Sequence, residues 1–155
     1  HEGRAGRDEA LGIGTIYNAA DAERFVAAGA AFVVQPVTTA DVAAACQRHD
    51  VAWVPGAMTL NEIYNATQLG AQLVKVFPGN AVGPEYIKAL RGPMPSVKLM
   101  VTGGVEATTE SLGEWFGAGI NVVGIGSQLF KGATDPAAIT ARVVPLMAFI
   151  SSFNK

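Results

Sequence analysis

Lys75 is the residue whose setting most demands a chemical explanation. It sits inside a nearly continuous apolar run, Gln72–Phe77, between Val74 and Val76. Alternation along a strand puts Leu73, Lys75 and Phe77 on one face and the two valines on the other. With the valines packed on helices, the amine points to the interior. A buried ammonium is costly unless paired, so such a lysine tends to lose its proton. The neutral amine attacks ketones, which is what Schiff-base catalysis needs. The competing reading is a lysine near a strand end that reaches solvent.

Two glycine-rich segments supply the next signal. Thr102-Gly103-Gly104 and Gly124-Ile125-Gly126-Ser127 end two consecutive apolar runs. Glycines let the backbone approach an anion closely, and free N–H groups at a helix start attract it. One such loop could be only a tight turn; two on adjacent strand ends point to phosphate. Thr15, in Gly12-Ile-Gly-Thr15-Ile16, either donates its hydroxyl to a substrate carboxylate or is satisfied by backbone. Pro36 and Pro78 follow strands and either stop them or form a rigid pocket wall. Glu62 reads as the partner of Thr59 in a T-x-x-E capping box, and Glu106 as a solvated loop acid.

The elements that must position these residues are six short runs: Leu11–Ile16, Ala31–Gln35, Val51–Val54, Gln72–Phe77, Val97–Val101 and Asn121–Ile125. They recur every 19 to 25 residues or so, and their continuous apolarity suits parallel strands covered on both faces. Helical spacing fills the intervals, as in Ala22, Phe25 and Val26, or Tyr86, Ile87 and Leu90. Gly29, Gly70 and Gly119 stand where helix C-terminal glycines belong, each opening a repeated helix-end-to-strand phrase. The last helix, from about Pro136, meets Pro145, which is expected to kink or break it. A regular βα repeat fits either a doubly wound sheet or a TIM barrel. Chemically suggestive residues gather at the strands' C-terminal ends, the active face of a barrel, and this favours the TIM (β/α)8 fold. Six of its eight units are legible, within one domain spanning residues 1–155.

Composition narrows the possibilities. The net charge of -2 comes with no block of like charge, so no nucleic-acid partner is expected. No unbroken apolar run approaches the roughly 18 residues of a membrane span. The charged first ten residues are followed by no apolar leader core. The single cysteine, Cys46, shares an apolar helix stripe with Val42 and Ala45 and reads as a buried small hydrophobe. One thiol fits a reducing cytoplasm. His1 and His49 form no cluster at ligand spacing, so no metal is expected.

The motifs, in their order, resemble the 2-keto-3-deoxy-6-phosphogluconate (KDPG) / 4-hydroxy-2-oxoglutarate aldolase family. They are Gly12-Ile-Gly-Thr15, Val34-Gln-Pro36, Val54-Pro-Gly-Ala-Met-Thr59 with Glu62-Ile63, and Val74-Lys-Val-Phe-Pro78. Gly83-Pro84, Ile87-Lys-Ala-Leu-Arg-Gly92-Pro93, Thr102-Gly-Gly104 and Val123-Gly-Ile-Gly-Ser127 follow. The resemblance runs from Leu11 to about Lys131, with Val101 standing where the family often has proline. It implies a TIM barrel, commonly a homotrimer, that needs no metal or other cofactor. Lys75 would form an imine with pyruvate or a phosphorylated sugar acid. Thr15 would help hold the carboxylate, and Pro36, Phe77 and Pro78 would line the pocket. Thr102, Gly103, Gly104, Gly126 and Ser127 would surround the substrate and its phosphate.

The family's catalytic glutamate and carboxylate-gripping arginine lie on a second strand with no counterpart here. His1 to Ala10 reads as the tail of the helix after it. The expectation is that two N-terminal βα units are missing, that the open sheet edges leave these residues alone prone to aggregate, and that a longer protein or another chain completes the barrel. Two rival readings remain. One is another phosphate-binding barrel, such as an epimerase or synthase, which leaves Lys75 unexplained. The other is an inactive barrel fragment that binds a phosphorylated ligand or a completing chain.

Overall fold

The structure, a computed structural model, describes residues 10–133 and 135–153; most of the stretch read as a helix tail, His1–Glu9, lies outside them. The chain divides between Val74 and Lys75 into two compact units.

In the first unit helix α1 (Ala19–Ala27) leads to strand β1 (Phe32–Val34), α2 (Ala40–Arg48), β2 (Ala52–Val54), β3 (Gly56–Ala57) and α3 (Leu60–Gln68). β1 and β2 are parallel, with Phe32 opposite Ala52 and Val34 opposite Val54. The run Leu11–Ile16 forms only an isolated parallel bridge, Ile13 to Val33, where a full strand was expected. Its backbone still bonds β1: Ile13 N–H to the Phe32 carbonyl at 3.0 Å and Val34 N–H to that of Ile13 at 2.8 Å. Pro55 separates β2 from β3, since proline has no N–H for a ladder. Gly56 is required where it stands, because a Cβ there would lie 2.2 Å from the Pro36 carbonyl.

The core of this unit is Ile16, Ala22, Val33, Val42, Ala45, Cys46 and Trp53, so Cys46 is the buried hydrophobe its helix stripe indicated. Gly29 and Gly70 have φ of 100° and 92°, the left-handed geometry that lets a chain leave a helix and enter a strand. Thr59 and Glu62 form the expected capping box. N–H groups of Met58 and Thr59, with the Thr59 hydroxyl, hold the Glu62 carboxyl below the usual carboxylate range.

Strand β4 (Val74–Val76) begins at the division and is followed in the second unit by α4 (Gly79–Leu90), β5 (Leu99–Thr102), α5 (Thr109–Gly117), β6 (Val122–Gly124), α6 (Ser127–Phe130) and α7 (Pro136–Phe153). β4, β5 and β6 are neighbours in that order, and β5 runs parallel to β6. The βα alternation of the sequence is therefore present, although among the described residues the strands form separate sheets and no closed barrel. α4 is interrupted at Gly83, with φ 72° and ψ 170°, just before Pro84.

α7 corrects two expectations. The helix continues through Pro145 without a break. It is also, among the described residues, long and apolar enough to cross a membrane by length and composition, with a mean hydropathy of 1.4. Its polar residues are Thr140, Ser151 and Ser152 plus Arg142, so the average stays apolar although no run is unbroken. The helix packs on α5 through Phe153 against Phe116, ring centres 5.8 Å apart. Arg142 donates to the Leu129 carbonyl at 2.8 Å, and Val144 and Met147 are exposed.

Arg91, at the end of α4, ties the loops at the strand entrances. Its guanidinium donates to the Val97 carbonyl at 2.6 Å, to the Gly119 carbonyl, and to the Asn121 side chain at 3.3 Å. Burial pushes its pKa down. Arg91→Met should leave these carbonyls without a donor and cost about 2–4 kcal/mol, since lost bonds to a charged group add to unmet acceptors. A urea melt with an unchanged midpoint would refute this.

Candidate active site

Strand alternation sets the setting of Lys75. Val74 and Val76 are fully buried on one face of β4, while Lys75 projects from the other, partly exposed. Its Nζ lies 4.4 Å from the ring centre of Phe77, two residues along the same face. Among the described residues it has no ion pair or hydrogen bond to offset its burial. Desolvation accordingly pushes its pKa below the usual lysine range. This is the environment of an amine that loses its proton more readily than a free lysine, and the neutral amine is a nucleophile toward ketones.

Lys75 opens onto a cavity of about 400 Å³ lined also by Phe77, Thr102, Gly103, Gly104, Gly126 and Ser127. Two segments distant in sequence thus meet beside the amine. The register explains how: Thr102 pairs with Gly124 across β5 and β6. A Cβ on Gly124 would meet the Thr102 methyl at 2.5 Å. Gly103 and Gly104 both have left-handed backbones, with φ of 82° and 79°. Gly104 also lies against Asn80, so a Cβ there would come within 2.5 Å of the Asn80 Cβ.

The Thr102 hydroxyl is buried and has no hydrogen-bond partner among the described residues. A buried hydroxyl without a partner is costly, and one bordering a cavity is suited to a polar ligand. Ser127 begins α6 behind Gly126, where the first helical N–H groups lack intrahelical partners. The cavity therefore offers an amine, two hydroxyls and glycine backbone, a set fitted to an anionic carbonyl compound.

Other residues singled out in the sequence stand elsewhere. Pro78 follows a cis bond after Phe77 and precedes α4, outside the cavity lining. Thr15 and Pro36 belong to the N-terminal unit, Thr15 with φ 60°. Glu106 is exposed and borders a separate depression with Glu110 and Glu114. No carboxylate lines the Lys75 cavity among the described residues. Val105, Ile125 and Gln128 do line it; as neighbours of the glycine motifs they were legible only as flanks.

A larger cavity, about 550 Å³, lies in the N-terminal unit against Cys46, Asp50, Trp53 and Gln72. Burial pushes the Cys46 thiol up, away from the nucleophilic thiolate. Size alone does not select that cavity.

Known proteins resemble the chain over most of its length. A family model described as KDPG and KHG aldolase matches residues 3–142. The chain is 35% identical over 126 residues to the 2-dehydro-3-deoxy-6-phosphogalactonate aldolase of Escherichia coli K12, covering 80% of this chain and 60% of that protein. A solved structure described as native KDPGal superposes with a TM-score of 0.84 at 26% identity, over 93% of this chain and 69% of the other. The KDPG aldolase of Legionella pneumophila, solved with pyruvate captured as a covalent carbinolamine, gives 0.68 at 29% identity, over 94% and 67%. The chain thus spans about three fifths of its curated galactonate relative.

Proposed function

The chain belongs to the KDPG and KHG aldolase family, and from that premise we propose that it serves a class I aldolase that splits 2-keto-3-deoxy-6-phosphogluconate or 4-hydroxy-2-oxoglutarate type acids into pyruvate and an aldehyde. The observation that carries this is the half-buried, unpaired Lys75 amine facing the cavity of Thr102, Gly104 and Ser127.

Lys75 Nζ adds to the C2 carbonyl of the keto acid, and loss of water from the carbinolamine gives the protonated imine. That cation draws the electrons of the C3–C4 bond as it breaks. The C4 hydroxyl proton passes to a general base, and the aldehyde, glyceraldehyde 3-phosphate or glyoxylate, departs. The enamine left behind is protonated at C3, and water releases pyruvate and the free amine. Thr15 is assigned to the carboxylate, with Pro36, Phe77 and Pro78 as pocket walls. Thr102, Gly103, Gly104, Gly126 and Ser127 are assigned to the phosphate end. The step proposed for Lys75 is imine formation.

We further propose a homotrimer in the cytoplasm, in which these residues belong to one TIM-barrel domain. The test is to incubate with pyruvate, reduce with borohydride, and map the added mass. Addition at Lys75 supports the reading; folded protein without an adduct refutes it.

A further inference from the structure

We infer that Phe77 does more than wall the pocket: the face of its ring stabilises the positive charge on Lys75 Nζ, first as ammonium and then as protonated imine. This rests on the aldolase reading above, in which Lys75 captures a keto acid. Both residues belong to the second unit.

Lys75 Nζ stands 4.4 Å from the Phe77 ring centre, over the ring. A cation within about 6 Å of a ring face is drawn by its quadrupole, most strongly where water is excluded. No carboxylate lines the cavity among the described residues. β5, β6 and α6 bring it Thr102, Ser127 and Gln128 as polar side chains, none of them charged. Glu85 and Lys88 of α4 pair with each other outside that lining. The ring is thus the group touching the amine that favours its charged form. Packing holds the ring in place. A Cβ on Gly79 would lie 2.6 Å from the Gly103 carbonyl, so the chain after Phe77 sits directly on that segment. A Cβ on Gly103 would meet Phe77 Cε2 at 3.5 Å, an ordinary contact.

Imine formation makes the ring matter more. The ammonium has three N–H donors that water or a hydroxyl can satisfy. The protonated imine keeps the charge on the same atom with a single N–H, and poorly hydrated cations are those that aromatic faces bind best. Burial and the ring act in opposite directions on the free amine. Burial favours the neutral form, and the ring favours the charged one. A wall that merely excludes water would act with burial. The sign of the change when the ring loses its electrons therefore separates the two roles.

The test replaces Phe77 in the full chain with mono-, di- and trifluorophenylalanine and with cyclohexylalanine. Fluorine draws electrons from the ring face in steps at nearly constant size, and cyclohexylalanine keeps the bulk without the π system. Acetylation of Lys75 by acetic anhydride, read by mass against pH, titrates the amine without any keto acid. Its midpoint should fall stepwise, by about one pH unit in the trifluoro and cyclohexyl variants, a roughly tenfold change in acidity. Cyanoborohydride reduces the protonated imine, so trapping of pyruvate ceases where the imine loses its proton. That alkaline limit should fall in the same steps. An acetylation midpoint that stays put overturns the proposal, and one that rises shows a wall whose loosening admits water. A falling midpoint with an unmoved alkaline limit overturns the role in the imine. Natural chain that is acetylated at Lys75 yet never traps pyruvate removes the aldolase reading, and the imine role with it.

Discussion

Replacing Lys75 with methionine should abolish borohydride-trapped pyruvate and lower any aldol cleavage on the order of 10³-fold or more, the scale seen when a covalent nucleophile is removed. Methionine keeps an unbranched chain beside Phe77 and removes a half-buried charge, so Lys75→Met should be at least as stable as the natural chain. Lys75→Arg should fail equally as a nucleophile, because a guanidinium stays protonated. The pH dependence follows from the lowered lysine pKa. The trapping rate should climb as pH rises through that value, reaching half-maximum below the roughly 10.4 of a free lysine. The same shift has a stability consequence. The unfolded chain holds the Lys75 proton more tightly, so stability rises with pH between the folded and unfolded pKa values. Below the folded value the burial penalty is present in full. The difference in melting temperature between Lys75→Met and the natural chain should therefore shrink as the solution becomes alkaline. A pH-independent difference would contradict the desolvated-amine account.

How much of this was legible in the sequence differs by residue. Lys75 stood out because strand alternation alone puts it opposite two valines, and both proved fully buried. The helix ends were readable from Gly29, Gly70 and Thr59-x-x-Glu62, since these motifs answer local hydrogen-bond needs. The first strand was over-read: Leu11–Ile16 is apolar enough, yet the left-handed turn at Thr15 ends its regular backbone. Nothing in the type of residue 15 signals that, because threonine ordinarily favours strands. Pro145 was over-weighted for the opposite reason. A single missing bond was judged locally, whereas α7 runs on past Pro145 to Phe153 and packs on α5. The Gln35–Trp53 bond was beyond sequence reasoning, because it joins residues 18 apart across two strands. The meeting of Thr102-Gly-Gly with Gly126-Ser127 was foreseeable in kind, as consecutive strand ends. Its contact with Lys75 required the strand order β4, β5, β6.

Gly104→Ala and Ser127→Ala should separate recognition of phosphate from imine formation. An alanine at 104 would have to hold a φ of 79° with its Cβ 2.5 Å from that of Asn80 and 2.9 Å from the Asn80 Cα. The contact is with backbone as well as side chain, so the loop must withdraw from the cavity rather than rotate a side chain aside. Ser127→Ala removes one hydroxyl at the cavity rim and leaves the fold alone. Hydrogen bonds to a charged group contribute about 1.5–3 kcal/mol each, which is about 10- to 150-fold in affinity. Trapping on Lys75 requires the amine and not the aldol base, so it reads binding even where turnover is slow. The half-saturating concentration of 2-keto-3-deoxy-6-phosphogluconate should rise about 100-fold in Gly104→Ala and about 10-fold in Ser127→Ala. That of pyruvate, which has no phosphate, should move less than about twofold. A parallel rise for both compounds would show that the loop only supports the Lys75 strand. No rise for either would place the phosphate elsewhere and leave the unpartnered Thr102 hydroxyl to a different polar group. The contrast between the two ligands also separates a phosphorylated substrate from an unphosphorylated one, because only the former draws on both glycine-rich strand ends.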